Sequence, residues 1–78
     1  MKLKYIVIKH NGREIPIIFG EPLTFNIMSK GFTCIAAGTV KFRHEQPSCS
    51  GESSKLKLKN RGKIDEDIIK FYNQSIRS

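Results

Sequence analysis

The chain predicts a small α+β domain: an antiparallel sheet of about four strands, in the order ββ(α)ββα, packed on a C-terminal helix. Three observations carry that reading. Apolar residues recur at every second position from Phe32 to Phe42, Asn11-Gly12 separates two β-rich runs, and the last stretch repeats aliphatic residues at helical spacing. A chain of 78 residues makes one domain, 1–78, whose thin core buries only about 60% of the unfolded surface.

Lys2 to Lys9 is the first strand. Asn11-Gly12 then supplies the two positive-φ residues of a type I′ turn, which fixes the register of the return strand, Arg13 to Phe19. Lys9 should face Glu14, Ile8 face Ile15, Ile6 face Ile17, and Tyr5 face Ile18. Pro16 should lie opposite Val7 with its missing N–H pointing outward, so this strand is expected at a sheet edge. Gly20-Glu21-Pro22 ends it. Leu23 to Lys30 fits strand or helix, and the Lys30-Gly31 ending with Thr24 as a cap favours a short helix.

The organising stretch follows, Gly31 to Arg43. Phe32, Cys34, Ala36, Gly38, Val40 and Phe42 should form its core face, with the other face largely turned to water. At roughly 3.3 Å per residue it could span about 40 Å. His44 to Ser54 is polar and rich in turn formers, which predicts an exposed loop. Lys55 to Lys59, KLKLK, alternates as a short strand with Leu56 and Leu58 inward. The closing helix should run from about Glu66 to Ile76, capped by Asp65, with an Ile64–Ile69 staple and Ile68, Tyr72 and Ile76 along one face.

Charge gives the leading functional expectation. Fourteen Lys and Arg stand against 7 Asp and Glu, a net charge of +7, which favours polyanionic partners. Lys55, Lys57, Lys59, Arg61 and Lys63 place a cation at every second position with no acid between them. On an extended segment they would form one ridge able to follow phosphates, or a charge-guarded edge. Arg13, Lys41 and Arg43 could extend the patch. Aromatic stacking platforms are sparse, with Tyr5 the best candidate for an exposed ring.

Catalysis and metal binding find little support. His10, His44, Cys34 and Cys49 are scattered singles without zinc-ligand spacing, and no metal or cofactor is expected. His44 and Cys49 are the only nucleophile–base pair worth naming, in a segment read as a loop with no oxyanion site. Ser50 to Lys55 lacks phosphate-loop spacing. The N-terminal apolar run, Tyr5 to Ile8, is too short for a signal peptide, which predicts a soluble, cytoplasmic protein with reduced cysteines and no membrane partner.

Residues 51 to 69, GESSKLKLKNRGKIDEDII, carry Gly51, Glu52 and Ser53, leucines two apart at 56 and 58, Arg61, then an acid-started helix at Asp65 with Ile68 and Ile69 paired. This arrangement resembles short bacteriophage and prophage proteins of no assigned activity. Those also open with a hairpin followed by a Phe and a Pro-containing turn, as Phe19 and Pro22 do here. Gly62 stands where that pattern has proline, and Lys55 and Lys57 are additional. The resemblance implies a viral or prophage setting.

The reading is therefore a non-enzymatic binding protein that contacts a polyanion, nucleic acid foremost, and takes no small-molecule substrate. The alternative is a protein–protein module, such as a phage-encoded inhibitor that docks on a host defence (anti-CRISPR-like) or replication complex, with an acidic protein surface as its partner. Self-association through the KLKLK edge, giving a homo-oligomer, is a third class.

Overall fold

A computed structural model describes residues 3–44, 46–53 and 56–77, with side chains as far as Tyr72. The fold is α+β, with a four-stranded antiparallel sheet, a short helix and a C-terminal helix packed on the sheet. The elements are β1 (Leu3–His10), β2 (Arg13–Phe19), α1 (Phe25–Met28), β3 (Thr33–Arg43), β4 (Gln46–Ser50), β5 (Glu52–Ser53), β6 (Leu58–Lys59) and α2 (Lys63–Arg77). The sheet order is β2-β1-β3-β4, and β5 and β6 form a separate two-stranded pair.

The hairpin folds as its turn demands. Asn11 and Gly12 sit at φ 52° and 76°, and the register pairs Lys9 with Glu14, Ile8 with Ile15, Val7 with Pro16, Ile6 with Ile17 and Tyr5 with Ile18. β2 is an edge strand, as Pro16 requires. α1 is also found, with the Thr24 hydroxyl accepting from Ile27 N at 3.3 Å as N-cap. Gly31, at φ 84°, lets the chain leave this helix toward β3.

The long strand differs from expectation in two ways. Its pairing with β1 slips between Val7↔Ala36 and Ile8↔Cys34, leaving Ile35 as an extra residue, a β-bulge. Ala36 and Val40 therefore join Tyr5 and Val7 against Ile69 of α2, whereas Cys34 packs with Ile6 and Ile8 on the opposite side. Neither face of the sheet is left to water along its centre. Phe25 and Met28 of α1, with Leu56 and Leu58, cover the second face over Ile6, Phe19 and Ala37. Phe32 and Phe42, expected in the core, lie at its rim and are exposed.

The fourth strand is not KLKLK. Residues 46–50, expected in a loop, form β4 beside β3, with Val40↔Cys49 and Phe42↔Pro47 in register. This strand exists because β3 offers a free edge, not because QPSCS has high strand propensity. Among the described residues of the KLKLK stretch only Leu58–Lys59 is strand, paired with Glu52–Ser53. Lys57 has φ 56°, which ends the alternation there, and Lys55 lies outside the described residues.

Each outer strand carries proline where the backbone N–H would face outward: Pro16 in β2 and Pro47 in β4. On β4 the next outward N–H, that of Cys49, donates to Glu66 Oε2 at 2.9 Å.

α2 begins earlier than expected, at Lys63, so Asp65 lies inside its first turn and is not the N-cap residue. Ile64 is 56% exposed and makes no staple with the buried Ile69. Ile68 and Ile69 do face the sheet, and the Ile76 side chain lies outside the described residues.

Candidate functional site

The expected ridge from Lys55 to Lys63 does not form one row. Lys57 and Lys59 are exposed around the left-handed residue 57, and Lys63 is exposed but belongs to α2. Arg61 is spoken for. Its Nη2 contacts Glu14 Oε1 at 2.8 Å and its Nε donates to Asp65 Oδ1 at 2.8 Å. Burial lowers its proton affinity, but the two carboxylates outweigh that and hold the guanidinium above its ordinary pKa.

Asp65 is the centre of that arrangement. It is fully buried and accepts from the Tyr5 hydroxyl at 2.5 Å, from Arg61 N at 2.8 Å and from Arg61 Nε. Tyr5, the candidate exposed ring, is instead buried completely. Burial first, and then its bond to Asp65, push the Tyr5 phenol well above the usual range. Such a satisfied ionic cluster orders the junction between β1, β2 and α2, and offers no open position to a ligand.

Both cysteines are free. Burial raises Cys34. Cys49 is packed beside the Tyr5 cluster, and burial pushes its thiol up to about 11, with Asp65 and Glu66 adding to the shift and Tyr5 opposing it. A raised thiol is a poor nucleophile at neutral pH. His44 precedes β4, and Cys49 lies three residues, roughly 10 Å, along that strand from Gln46. Among the described residues no three His, Cys, Asp or Glu gather into a cation site.

Lys41 and Arg43 have a different setting. Among the described residues β1 pairs with β3 as far as Leu3↔Val40, and the β3–β4 ribbon pairs on to Arg43↔Gln46. Side chains alternate across it. Phe42 and Pro47 share the α2 side, in line with Val40 and Cys49. The other side carries Thr39, Lys41 and Arg43 on one strand and Ser50, Ser48 and Gln46 opposite them. All but the half-buried Thr39 are exposed. The Thr39 hydroxyl bonds Ser50 O at 3.2 Å and shares a hydrogen bond with Ser50 Oγ at 3.1 Å, which locks the base of this face. Among the described residues the face holds two cations, three hydroxyls and an amide, with no acid and no aromatic ring. Glu45 lies outside those residues.

Arg13 does not join this patch. It starts β2 at the opposite end of β1 from Leu3, roughly 25 Å from the ribbon. There it borders a groove of about 520 Å³ with Glu14, Asp67, Ile68, Phe71 and Tyr72.

Sequence alternation placed Lys41 and Arg43 on one face correctly. Gln46, Ser48 and Ser50 were missed because their segment read as loop. Compared with protein-family models, curated proteins and solved structures, the chain finds no match in any of the three. Among the described residues no helix is long and apolar enough to cross a membrane.

Proposed function

We propose that this chain is a non-enzymatic domain that binds a polyanion, specifically nucleic acid, and that its contact surface is the polar face of the β3–β4 ribbon. The observation that carries this is Lys41 and Arg43 side by side along β3, faced by the hydroxyls and amide of β4. Cations with neighbouring Ser, Thr and Gln groups are the usual donors to phosphate oxygens. Exposed Lys57, Lys59 and Lys63 add to the positive field that draws such a partner, with Lys55 contributing charge from the same stretch of sequence. Arg61 is assigned a structural role instead, because it already holds two carboxylates. The pattern of residues 51–69 supports a phage or prophage setting, and with it the host cytoplasm as the compartment.

The test is a salt titration of binding to random-sequence oligonucleotides. Each phosphate engaged on a duplex contributes about 0.9 to the fall of log K with log[salt]. Lys41→Ala with Arg43→Ala should flatten the slope by roughly 1–2 units. Absence of wild-type binding near about 50 mM salt, where such contacts are strong, would sink the reading.

A second reading has its own observation. Phe71 is 63% exposed on α2 and borders the groove with Arg13 and Asp67, a mixed apolar and charged surface of the kind a protein partner covers. That supports a phage-encoded inhibitor docking on a host complex. Capture from host lysate with and without nuclease separates the two readings. Nuclease-resistant capture that Phe71→Ala abolishes favours the second.

A further inference from the structure

We infer that the groove between β2 and α2 is a pocket for one unpaired guanine of a single-stranded nucleic acid, with Phe71 stacking the base and Asp67 reading its Watson–Crick edge. The inference rests on the polyanion reading above and names the form of nucleic acid that fits it.

Placement gives the first argument. Arg13 and Glu14 of β2 line the groove on one side, and Asp67, Ile68, Phe71 and Tyr72 of α2 line it on the other. Its volume of about 520 Å³ lies in the usual range of small-ligand pockets, about 300–1,000 Å³. Asp67 and Phe71 stand one helical turn apart, where Cβ atoms are about 5–6 Å from each other. Ile68, packed on the core, backs the groove between them.

The rings give the second. Phe71 and Tyr72 meet edge to face, with centroids 5.6 Å apart and planes at 81°, so they form a corner. Phe71 is 63% exposed, a ring left outside the core. A base laid against it gains the stacking that holds unpaired nucleotides on proteins.

The carboxylate selects the base. Ionised Asp67 only accepts, through two oxygens side by side. Guanine alone among the common bases sets two adjacent donors, N1–H and the N2 amine, on its Watson–Crick edge. Adenine, cytosine and uracil each place an acceptor beside a donor, and a carboxylate repels it. Glu14 Oε1 already contacts Arg61, which leaves the exposed Asp67 as the reader. In a duplex those donors belong to cytosine, so the guanine must be unpaired.

Charge decides against the obvious rival. A cationic side chain would also suit rings and carboxylates. Arg13 on the border and a net charge of +7 oppose it, whereas the same charges draw the phosphates that a base carries.

The experiment measures binding of the full chain to short oligothymidine strands with one central guanine, adenine, cytosine or hypoxanthine. Wild type should bind the guanine strand at least about tenfold tighter than the others. Hypoxanthine lacks the N2 amine and should lose about tenfold, while 7-deazaguanine keeps both donors and should lose nothing. Asp67→Asn should abolish the guanine preference and leave the salt slope in place. Phe71→Ala should weaken every single strand about fivefold to a hundredfold, and Phe71→Leu, which keeps apolar bulk without a ring, should do the same. Arg13→Ala should lower the salt slope by about 0.7. Asp67 and Phe71 are exposed, and unchanged thermal melts would confirm intact folds.

Salt-dependent binding without a guanine preference overturns the pocket and leaves the polyanion reading standing. So does a preference that survives both Asp67→Asn and Phe71→Ala, or tighter binding of the paired duplex. Guanosine monophosphate competing as well as the strand would make the free nucleotide the ligand and overturn the strand as occupant. Nuclease-resistant protein capture through Phe71 would assign the groove to a protein and overturn the inference too. No binding at low salt removes both pocket and polyanion reading.

Discussion

The hydroxyl of Tyr5 donates to the carboxylate of Asp65, sixty residues further along the chain, at 2.5 Å, and both residues are fully buried. This contact ties the second strand from the β2 edge to the first turn of the C-terminal helix. Removing the acceptor should therefore cost far more than an exposed cap. Asp65→Ala strands the phenol and uncovers one side of Arg61, for a loss on the order of 3 kcal/mol. Tyr5→Phe removes one donor of several and should cost about 1–2 kcal/mol. Urea midpoints at constant m-value measure both. A loss below about 1 kcal/mol for Asp65→Ala would show that the carboxylate does not hold the helix to the sheet.

Arg61 and Glu14 form one ion pair but should respond unequally to mutation. Arg61→Ala leaves the buried Asp65 without its guanidinium, and a loss of about 2–4 kcal/mol follows. Glu14 is 42% exposed, so Glu14→Ala should cost less than about 1 kcal/mol. Equal losses would place the weight on the Glu14 contact instead.

Alkaline pH should loosen the fold. The folded chain keeps the Cys49 proton up to about pH 11, whereas an ordinary thiol releases it near 9.0. Between those values the unfolded chain binds fewer protons, so stability is fully present below pH 9 and declines as pH rises through the window. Tyr5 and Cys34, also raised, act in the same direction. Unfolding free energies from pH 7 to 11 should fall for wild type and fall less steeply for Cys49→Ala, whatever that variant's starting level. Thiol labelling at pH 7 should be slow at both cysteines until the chain is unfolded. Fast native labelling of Cys49 would contradict its burial.

Gly38→Ala should be among the most damaging single-methyl additions. A Cβ there would lie 2.5 Å from Ser50 O, a backbone atom that cannot swing away, and 3.2 Å from both Asn60 Cβ and Tyr5 Cε1. Pushing the strands apart at that point should cost about 1–3 kcal/mol, or more, by thermal melt. A neutral outcome would mean the β3–β4 crossing relaxes freely.

Features set by neighbours in sequence were legible, and those set by distant partners were not. Asn11-Gly12 determines a turn by backbone conformation alone, so the first hairpin and its whole register could be read. Thr24 marked its helix for the same reason. β4 is a strand only because β3 lies next to it, and QPSCS holds a proline and two serines that locally favour a turn. KLKLK alternates perfectly, yet Leu56 N donates to Ser53 Oγ and Lys57 is left-handed, which breaks the strand. The bulge at Ile35 leaves no mark in an alternating pattern, so the faces of β3 were assigned as though it were straight. Lys41 and Arg43 were visible as one face, but the hydroxyls and amide across from them depend on a strand that local propensity hides.

The two prolines of the outer strands and the Glu66 contact bear on crowding. A polyanion that gathers copies of a chain of net charge +7 cancels the repulsion that keeps them apart. Sheets brought that close tend to stitch together, strand to strand, into growing cross-β stacks. Here a second copy reaching for β2 meets Pro16 at the middle outward position, and one reaching for β4 meets Pro47 and then an amide already held by Glu66. On the proposed reading, copies lined up along a shared polyanion would stay separate molecules, each free to leave when salt rises.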